Sequence, residues 1–264
     1  DLVRSRGLGD VYKRQVVVVT GGNGQIGSEI IKSYLDVGAV VVNFDLSNPN
    51  SMEWQSLSSK TKGVQNFILC DITNKQEVVS AINDVMLTFS SIDILVNSAG
   101  ISVFTPFEER TVEEFDSVVN VNMKGMFLTT QAVIGQMKKQ KQKGIILNLG
   151  SIYGHSIADQ RIYGDSGRNS PEIYAMTKAG VNHFTSYLGR YLAKDGIRVN
   201  CISPGGIFDN QAEFFVKNYE YKTPMSRMGN PNDLIGGVFY LTSSMSEYVT
   251  GQNIIIDGGF TLGS

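Results

Sequence analysis

A tyrosine and a lysine four positions apart, Tyr174 and Lys178, are the two side chains with the clearest chemical potential in this sequence. In a helix, residues at this spacing lie on the same face, so the two side chains can meet. A phenol is a poor base at neutral pH, but a nearby ammonium favours the phenolate form. The pair could therefore exchange a proton with a carbonyl or alcohol oxygen. Surface pairs without a chemical role share this spacing, so the interpretation depends on the residues that gather around the two.

Two further polar residues strengthen the chemical interpretation. Ser151 lies at the end of a β-branched run that predicts a strand, and Asn122 lies in the helical stretch before that strand. In an open α/β sheet, reacting groups gather at the carboxyl ends of the strands. The predicted catalytic residues are therefore Asn122, Ser151, Tyr174 and Lys178.

A glycine-rich loop from Thr20 to Gly27 is the second chemical signal. It follows the first predicted strand, opens the first predicted helix, and has its glycines in the spacing G-x-x-G-x-x-G. Such glycines permit a tight turn, close approach to a pyrophosphate and close packing of the helix on the strand. The helix N-terminus adds free N–H donors and the positive end of a dipole. The loop predicts a dinucleotide site formed by Gly21, Asn23, Gly24, Gln25, Ile26 and Gly27.

Asp45 bears on the choice of dinucleotide. It ends the second predicted strand, 24 residues after Gly21. A carboxylate at this place can accept a hydrogen bond from the ribose 2′-hydroxyl and would repel a 2′-phosphate. No lysine or arginine lies in the glycine loop or directly after Asp45. The sequence therefore favours NAD over NADP.

The elements that must position these residues follow one repeating pattern of short apolar runs and helix-length amphipathic stretches. Near-continuous apolar runs are typical of parallel strands that are covered on both faces. The repeated β-α units predict an α/β fold with a doubly wound parallel sheet. The predicted strands are Val16–Thr20, Val40–Asp45, Val64–Leu69, Ile92–Asn97, Gly144–Leu149, Arg198–Ile202 and Asn253–Asp257. The predicted helices are Ile26–Val37, Lys75–Phe89, Thr111 to about Lys139, Pro171 to about Asp195, and one that opens at Asn230.

Composition excludes several classes of function. The net charge of −2 gives no electrostatic reason to expect binding to nucleic acid or to an anionic membrane. No apolar run approaches the roughly 20 residues that a membrane-spanning helix needs. The two cysteines, Cys70 and Cys201, lie in apolar strand-like runs, which is typical of buried thiols in a reducing cytoplasm. With two histidines and no Cys/His cluster, no metal site is expected.

The first fifteen residues, Asp1 to Gln15, differ from the rest of the chain. They are basic, interrupted by glycine and without hydrophobic periodicity, and a clean strand pattern begins at Val16. A secretory signal would need an apolar stretch that this segment lacks. We therefore expect a non-native or disordered arm at 1–15 and one dinucleotide-binding domain at 16–264.

These motifs together resemble the short-chain dehydrogenase/reductase family. The resemblance runs from about Val16 to Phe260 and rests on several motifs in order, which is far more specific than any one of them. It implies a single Rossmann-like domain with about seven parallel strands, and a homodimer or homotetramer. Beyond the loop, Asp45 and the catalytic set, the motifs are Asp71-Ile72, Asn97-Ser98-Ala99-Gly100, Asn148-Leu149-Gly150, Arg198-Val199-Asn200, Ser203-Pro204-Gly205-Gly206 and Gly251-Gln252 to Gly258-Gly259.

The resemblance also implies roles for individual residues. Tyr174 would be the general acid/base, and Lys178 would assist it and bind the nicotinamide ribose. Ser151 would hydrogen-bond the reacting oxygen, and Asn122 would hold a water in a proton relay through Lys178. The remaining cofactor contacts implied are Asp71 and Ile72 at the adenine, Asn97, Ala99 and Gly100 at the adenosine ribose and central strand, and Pro204, Gly205 and Ile207 beside the nicotinamide.

Two features depart from the compact branch of that family. The second glycine of its usual loop is replaced by Gln25, and 23 residues separate Ser151 from Tyr174, a longer gap than is usual. The intervening stretch, 156–172, is polar, and we expect it to be a substrate loop in which Arg161 and Arg168 grip a carboxylate or phosphate. His155 is a further candidate substrate contact. The predicted substrate is a small polar molecule, sugar-like or acidic.

The leading hypothesis is thus an NAD-dependent oxidoreductase that interconverts a secondary alcohol and a ketone. A 3-oxoacyl thioester reductase is an alternative, but it predicts an NADP-favouring basic pocket, against which Asp45 speaks. The glycine spacing supports a nucleotide-sugar-modifying enzyme, although the chain leaves little room for a separate substrate domain. A non-catalytic dinucleotide sensor is the remaining alternative. The segment Phe208 to Lys222, rich in aromatic residues, is expected to form a lid over the substrate.

Overall fold

The computed structural model describes residues 11–49, 54, 56–57, 60–140, 143–166 and 168–263. Its centre is a seven-stranded parallel sheet in the order β3-β2-β1-β4-β5-β6-β7. This arrangement confirms the predicted α/β fold with a doubly wound sheet. The strands are β1 (Val16–Thr20), β2 (Val40–Asp45), β3 (Val64–Leu69), β4 (Ile94–Asn97), β5 (Gly144–Leu149), β6 (Ile197–Pro204) and β7 (Asn253–Ile256).

Helices cover both faces of the sheet. Asn74 caps α2 and accepts hydrogen bonds from the backbone N–H groups of Gln76 and Glu77. At the start of α3, Thr111 and Glu114 form the capping box that the sequence predicts. The helices are α1 (Gln25–Asp36), α2 (Lys75–Phe89), α3 (Val112–Val119), α4 (Met126–Gln140), α5 (Glu172–Leu192), α6 (Glu213–Lys222) and α7 (Ile235–Thr242).

The long helix predicted from Thr111 to about Lys139 is interrupted. A π-helical turn, Asn120–Gly125, separates α3 from α4. Such turns are rare, and hydrophobic periodicity does not reveal them because the apolar face continues through the insertion. The turn is functionally relevant because it contains Asn122.

Two apolar cores lie on opposite faces of the sheet. In β1, Val16 and Val18 pack with α2, α4 and α5, whereas Val17 and Val19 pack with α1 and α7. Alternate residues of a strand point to opposite faces, so a run of four valines serves both cores. All four are almost completely buried.

Residues 11–15 pack on this domain, although the sequence suggests that it begins at Val16. Tyr12 is fully buried, and its ring contacts Tyr34 and Phe239. Its hydroxyl donates a hydrogen bond of 2.9 Å to the carbonyl of Phe239. An aromatic ring of this size fills the space between α1 and α7, so the packed domain includes at least the last part of the predicted arm. Residues 1–10 lie outside the described residues.

The chain changes direction across the sheet between β1 and β4. From β1 it adds β2 and β3 on one side, and then returns to add β4 and the later strands on the other. In open sheets of this kind, ligands bind at the carboxyl ends of the strands beside this switch point. The glycine loop, which follows β1, and residues 98–101, which follow β4, meet there.

Candidate active site

A cavity of about 450 Å³ opens at the carboxyl ends of the central strands. Its walls bring together three of the predicted catalytic residues and several predicted cofactor contacts, from five separate parts of the chain. These residues are Ile26, Gly100, Ser151, Tyr174, Lys178, Pro204, Gly205 and Ile207.

Tyr174 and Lys178 lie one turn apart on α5, as their spacing predicts. The Lys178 ammonium lies 5.4 Å from the centre of the Tyr174 ring and donates a hydrogen bond of 2.6 Å to the carbonyl of Leu149. Lys178 is buried, whereas Tyr174 is half-buried and forms part of the cavity wall. The end of β5 thus fixes the lysine beneath the tyrosine, and Ser151 follows two residues later.

The start of α5 is held by a contact that the sequence does not reveal. The Arg110 guanidinium, whose side chain is only 4% exposed, forms an ion pair of 2.7 Å with Glu172. It also donates a hydrogen bond of 2.6 Å to the carbonyl of Thr105. Because Glu172 is two residues before Tyr174, this contact positions the first turn of the helix that contains the tyrosine.

Asn122 is held firmly in the π-helical turn. Its side-chain oxygen accepts a 2.8 Å hydrogen bond from the N–H of Ile101, and its amide donates to the Ile101 carbonyl and to Thr177. A side-chain carbon added at Gly100 would lie 3.4 Å from this oxygen and 3.6 Å from the Lys178 ammonium. Asn122 and Lys178 therefore flank the same backbone segment, although Asn122 does not line the cavity itself.

The glycine loop has the close backbone contacts that its residue types predict. Gly21 has a φ of +68°, and a Cβ there would lie 2.6 Å from the Cα of Ala99. At Gly27, a Cβ would lie 2.3 Å from the carbonyl oxygen of Gly21. Gly24 precedes α1 and supplies no capping side chain. The first N–H groups of α1 consequently remain available to an anion such as a pyrophosphate.

A buried amide behind the loop is a positioning residue that the sequence analysis missed. Asn43 lies in the middle of β2 and is fully buried. Its oxygen accepts a hydrogen bond of 3.1 Å from the N–H of Gly22, and its amide donates one of 2.9 Å to the side-chain oxygen of Asn23. The signal is a single amide in the otherwise apolar first five residues of VVVNFD, where it would be costly to bury without partners.

Asp45 lies at the end of β2 and contacts the same loop. One of its oxygens accepts a 2.9 Å hydrogen bond from the N–H of Asn23, and the other accepts from Leu46. The Asn23 amide in turn donates a hydrogen bond of 2.6 Å to the carbonyl of Ser47. The carboxylate therefore lies beside the glycine loop, where the sequence predicts its contact with a ribose.

Gln25, which replaces the usual glycine, has a contact of its own. Its amide donates a 2.5 Å hydrogen bond to the carbonyl of Phe208. The contact joins the start of α1 to the segment after β6, from the two sides of the cofactor groove. Gln211, whose amide donates to the carbonyl of Ile207, steadies the same segment.

The other predicted cofactor residues differ in the contacts that their side chains and backbone make within the protein. Asn97 is buried, and its side chain is occupied by Thr130, Asn148 and Thr129, so it joins β4, β5 and α4 and does not face the groove. Ala99 donates its N–H to Thr20 and packs against Gly21. Asp71 accepts two hydrogen bonds from Thr73, and the Ile72 side chain is buried next to Gly125. A contact with an adenine would therefore use the other carboxylate oxygen of Asp71 or the backbone of Ile72.

The polar stretch 156–172 is not an open loop. Ile162 and Tyr163 are buried in a small apolar core with Tyr219 of α6, Met228 and Phe260. Asp159 forms an ion pair with Lys222, at the end of α6. The sequence predicts a polar substrate loop, and these two apolar residues within it pack the loop against α6.

Of the three predicted substrate contacts in this region, one lines the cavity and two do not. Arg168 lines the cavity, and its guanidinium lies 3.9 Å from the centre of the Phe104 ring. Arg161 pairs with Asp159, has a side chain that is 88% exposed and does not line the cavity. The His155 ring contacts the amide groups of Asn182 and Asn253 and is likewise outside the cavity wall. The expected substrate contacts of Arg161 and His155 are therefore not supported.

Burial raises the pKa values of three phenols that line the cavity beside Tyr174. It raises the pKa of Tyr219 to about 12 and raises the pKa values of Tyr153 and Tyr163 as well. The Tyr219 hydroxyl accepts a hydrogen bond of 2.5 Å from the N–H of Gly206. Burial also raises the pKa of Cys70 to about 12, which fits a buried thiol without reactivity.

Membrane-spanning helices and metal-binding clusters are both absent from the described ranges. No helix within them is long and apolar enough to cross a membrane. Within them, too, no group of three or more His, Cys, Asp or Glu side chains is arranged to hold a metal ion.

Comparison with known proteins gives the class. Residues 22–261 match the family model described as "Enoyl-(Acyl carrier protein) reductase". The structure of a short-chain dehydrogenase from Leptospira borgpetersenii with bound NAD⁺ is 55% identical, covers 97% of this chain and 96% of its own, and superposes with a TM-score of 0.89. A 3-oxoacyl-[acyl-carrier-protein] reductase of Thermotoga maritima is 32% identical over 94% of this chain and 98% of its own. A 3β-hydroxysteroid dehydrogenase of Eggerthella lenta is 32% identical over 96% of each chain.

The chain belongs to the short-chain dehydrogenase/reductase family. It is an oxidoreductase of that family, which acts on CH–OH or carbonyl groups. The predictions of family, enzyme class and fold are thereby confirmed.

Proposed function

We propose that this protein oxidises a secondary alcohol to a ketone, or reduces the ketone, with NAD as cofactor and Tyr174 as general acid/base. The observation that carries the proposal is the joint presence of Ser151, Tyr174 and Lys178 at one cavity, next to the glycine loop. No single one of these features would be specific, but together they provide a proton donor, a positioning hydroxyl and a dinucleotide groove.

The proton chemistry belongs to the chain's own residues. Tyr174 takes the hydroxyl proton in oxidation or gives it to the carbonyl oxygen in reduction. The Lys178 ammonium is held beneath the Tyr174 ring by the Leu149 carbonyl, and Ser151 donates a hydrogen bond to the reacting oxygen. Asn122 holds the backbone of Ile101, next to Gly100, by two hydrogen bonds. A water between Asn122 and Lys178 would pass the proton outward. The dinucleotide would supply or take up the hydride.

The groove residues fit a dinucleotide. The N–H groups at the start of α1 would meet the pyrophosphate, with Gly21, Gly24 and Gly27 giving room and Ile26 at the nicotinamide end. Pro204, the last residue of β6, and Gly205, which follows it, would border the nicotinamide with Ile207. The NAD⁺ in the Leptospira relative supports this cofactor.

Asp45 supports NAD rather than NADP. Its carboxylate lies beside the glycine loop, bonded to the N–H of Asn23. A 2′-phosphate there would face a negative charge without a cationic partner in the loop. NADP is therefore the weaker ligand in this proposal.

A 3-oxoacyl thioester reductase is the second candidate, because relatives with that name share about a third of their residues with this chain. Asp45 speaks against it, because such a reductase predicts NADP and the Asp45 carboxylate would repel a 2′-phosphate. The two candidates differ in cofactor: the first predicts NADH oxidation with ketones, and the second predicts NADPH oxidation with an acetoacetyl thioester.

A homodimer or homotetramer in the cytoplasm completes the proposal. Several apolar side chains stay exposed on α4 and α5, among them Phe127, Tyr187 and Tyr191, and the last two stack with their ring centres 6.0 Å apart. An apolar surface of this kind is typical of an interface. Light scattering should give a mass of two or four chains, and a monomer would contradict the assembly. The buried, protonated thiols support a reducing compartment.

The test of the function is a cofactor and substrate matrix. Purified protein is titrated with NADH and NADPH by fluorescence, and then assayed with NAD⁺ and a panel of secondary alcohols, including cyclic, sugar-like and hydroxy-acid compounds. We expect tighter NADH binding and NAD⁺-dependent turnover of at least one alcohol. Tight NADH binding without turnover of any alcohol or ketone would favour a non-catalytic role instead.

A further inference from the structure

Aromatic rings form a large part of the cavity wall. Besides Tyr174, six residues that line the cavity are aromatic, and we call them the aromatic wall: Phe104, Tyr153, Tyr163, Phe214, Phe215 and Tyr219. They come from four separate segments, namely the loop after β4, the turn after Ser151, the stretch 156–172 and α6. An enclosing aromatic wall favours a flat or cyclic apolar body over a sugar, whose hydroxyls would lose their water without replacement.

The wall is already packed in this structure. The rings of Tyr163 and Phe215 have centres 5.3 Å apart, and those of Phe215 and Tyr219 are 6.1 Å apart. Behind them, Tyr219 stacks on Phe260 with ring centres 4.4 Å apart. Tyr219 also accepts the N–H of Gly206, so its hydroxyl is engaged by the backbone. The site therefore presents ring surface before any substrate arrives, which reduces the ordering cost of binding.

The charges of the cavity have one sign. Of the residues that line it, only Arg168 and Lys178 are charged, and neither aspartate nor glutamate is among them. Lys178 is engaged beneath Tyr174 by the Leu149 carbonyl. Within the described part of the chain, the Arg168 guanidinium forms no ion pair with a carboxylate. Arg168 is thus the cation that remains for a substrate.

The Phe104 ring lies against the Arg168 cation. The guanidinium carbon of Arg168 is 3.9 Å from the centre of this ring. The N–H groups of a guanidinium lie in its plane and form a fork that suits a carboxylate. Phe104 thereby supports the cation without using its donors.

We propose that the substrate is a secondary alcohol or ketone that bears both a hydrophobic ring and a carboxylate, with the ring on the aromatic wall and the carboxylate on Arg168. This inference rests on the proposed function and specifies its substrate. In oxidation, the C–H bond at the carbinol breaks, hydride leaves to NAD⁺, and the hydroxyl proton passes to Tyr174 while the C=O bond forms. The carboxylate takes no part in the electron balance and serves only for binding.

The test compares three probes and two matched variants. The probes are β-hydroxy-β-phenylpropionate, its uncharged amide and the ringless β-hydroxybutyrate. The variants are Arg168→Gln and Arg161→Gln, which remove a positive charge from the same stretch, one inside the cavity and one outside it. Losing a charged hydrogen-bond partner should lower kcat/KM for the phenyl acid roughly ten- to hundredfold in Arg168→Gln. The amide should change little, and Arg161→Gln should match the parent.

A second measurement does not depend on turnover. Calorimetry with β-phenylpropionate, which has the ring and the carboxylate but no hydroxyl, should show binding to the NADH-loaded enzyme that Arg168→Gln weakens by a similar factor. Phe214→Leu should weaken it while leaving the acid-to-amide preference intact. These readouts separate the cation from the ring surface and remain informative if one variant folds poorly.

Three outcomes would overturn the inference while leaving the proposed function in place. They are equal kcat/KM for acid and amide in the parent enzyme, a preference for the ringless or a sugar-like alcohol, and an Arg168→Gln variant that behaves like Arg161→Gln. Failure of every alcohol and ketone with both cofactors would instead refute the proposed function itself.

Discussion

Asn43 offers a direct test of how the sheet positions the cofactor loop. In the variant Asn43→Ala, the N–H of Gly22 loses its acceptor, which lies 3.1 Å away. Gly22 is buried, so water cannot replace that acceptor. A buried donor left without a partner costs about 1–3 kcal/mol. The other lost contact, to Asn23, costs little because that side chain is exposed and can turn to water.

We therefore expect Asn43→Ala to lower the free energy of unfolding by about 1–3 kcal/mol, measured by urea denaturation without cofactor. The same variant should raise the Kd for NADH, by up to roughly tenfold if about 1.4 kcal/mol of loop preorganisation is lost. Both effects come from one hydrogen bond, so they should appear together.

Asn66→Ala is the matched control. Asn66 lies on the neighbouring strand β3 and is half-buried, and its side-chain oxygen accepts from the adjacent N–H of Phe67. Its loss should change stability by less than about 0.5 kcal/mol and leave NADH binding unchanged. An Asn43→Ala variant as stable as Asn66→Ala, with the same Kd, would refute the role assigned to the buried amide.

Two further predictions concern contacts around the cavity. Gln25→Gly removes the hydrogen bond to the Phe208 carbonyl, which joins the two sides of the cofactor groove. It should speed NADH release by roughly two- to tenfold in stopped-flow measurements. An unchanged release rate would show that this hydrogen bond does not retain the cofactor. The Arg161 and Lys222 cations hold the pKa of the Asp159 carboxyl below its usual value, so its contribution to stability is complete at neutral pH and declines as pH falls below about 4. Parent and Asp159→Asn should therefore differ in melting temperature at pH 7 and converge in acid, and a pH-independent difference would contradict this assignment.

The fold was largely predictable because apolar runs and glycines report directly on local structure. The bounds of β1, β2, β3, β5 and α2 agree with the sequence prediction at both ends. Each is bounded by residues whose local preferences agree with their packing, such as the Asn74 cap at the start of α2. A segment can be predicted from sequence when its local preferences and its tertiary packing favour the same structure.

The site was predictable where chemistry needs a particular residue type, and less so where tertiary packing decides. Arg161 and Arg168 look alike in sequence, yet only the structure shows that Asp159 holds one outside the cavity while Phe104 supports the other within it. Ile162 and Tyr163 lie in a polar stretch, yet their side chains are buried and pack the loop against α6. Their partners on α6 are more than fifty residues away, so no local pattern indicates the contact.

The measurement that tests the central claim most directly compares Tyr174→Phe with Tyr248→Phe. The first removes only the hydroxyl at the cavity, and the second removes one from a fully exposed ring elsewhere. Loss of a general acid/base should reduce kcat by roughly 10²- to 10⁴-fold in Tyr174→Phe, with the NADH Kd unchanged, whereas Tyr248→Phe should match the parent. Tyr174→Phe with parental kcat would contradict the account.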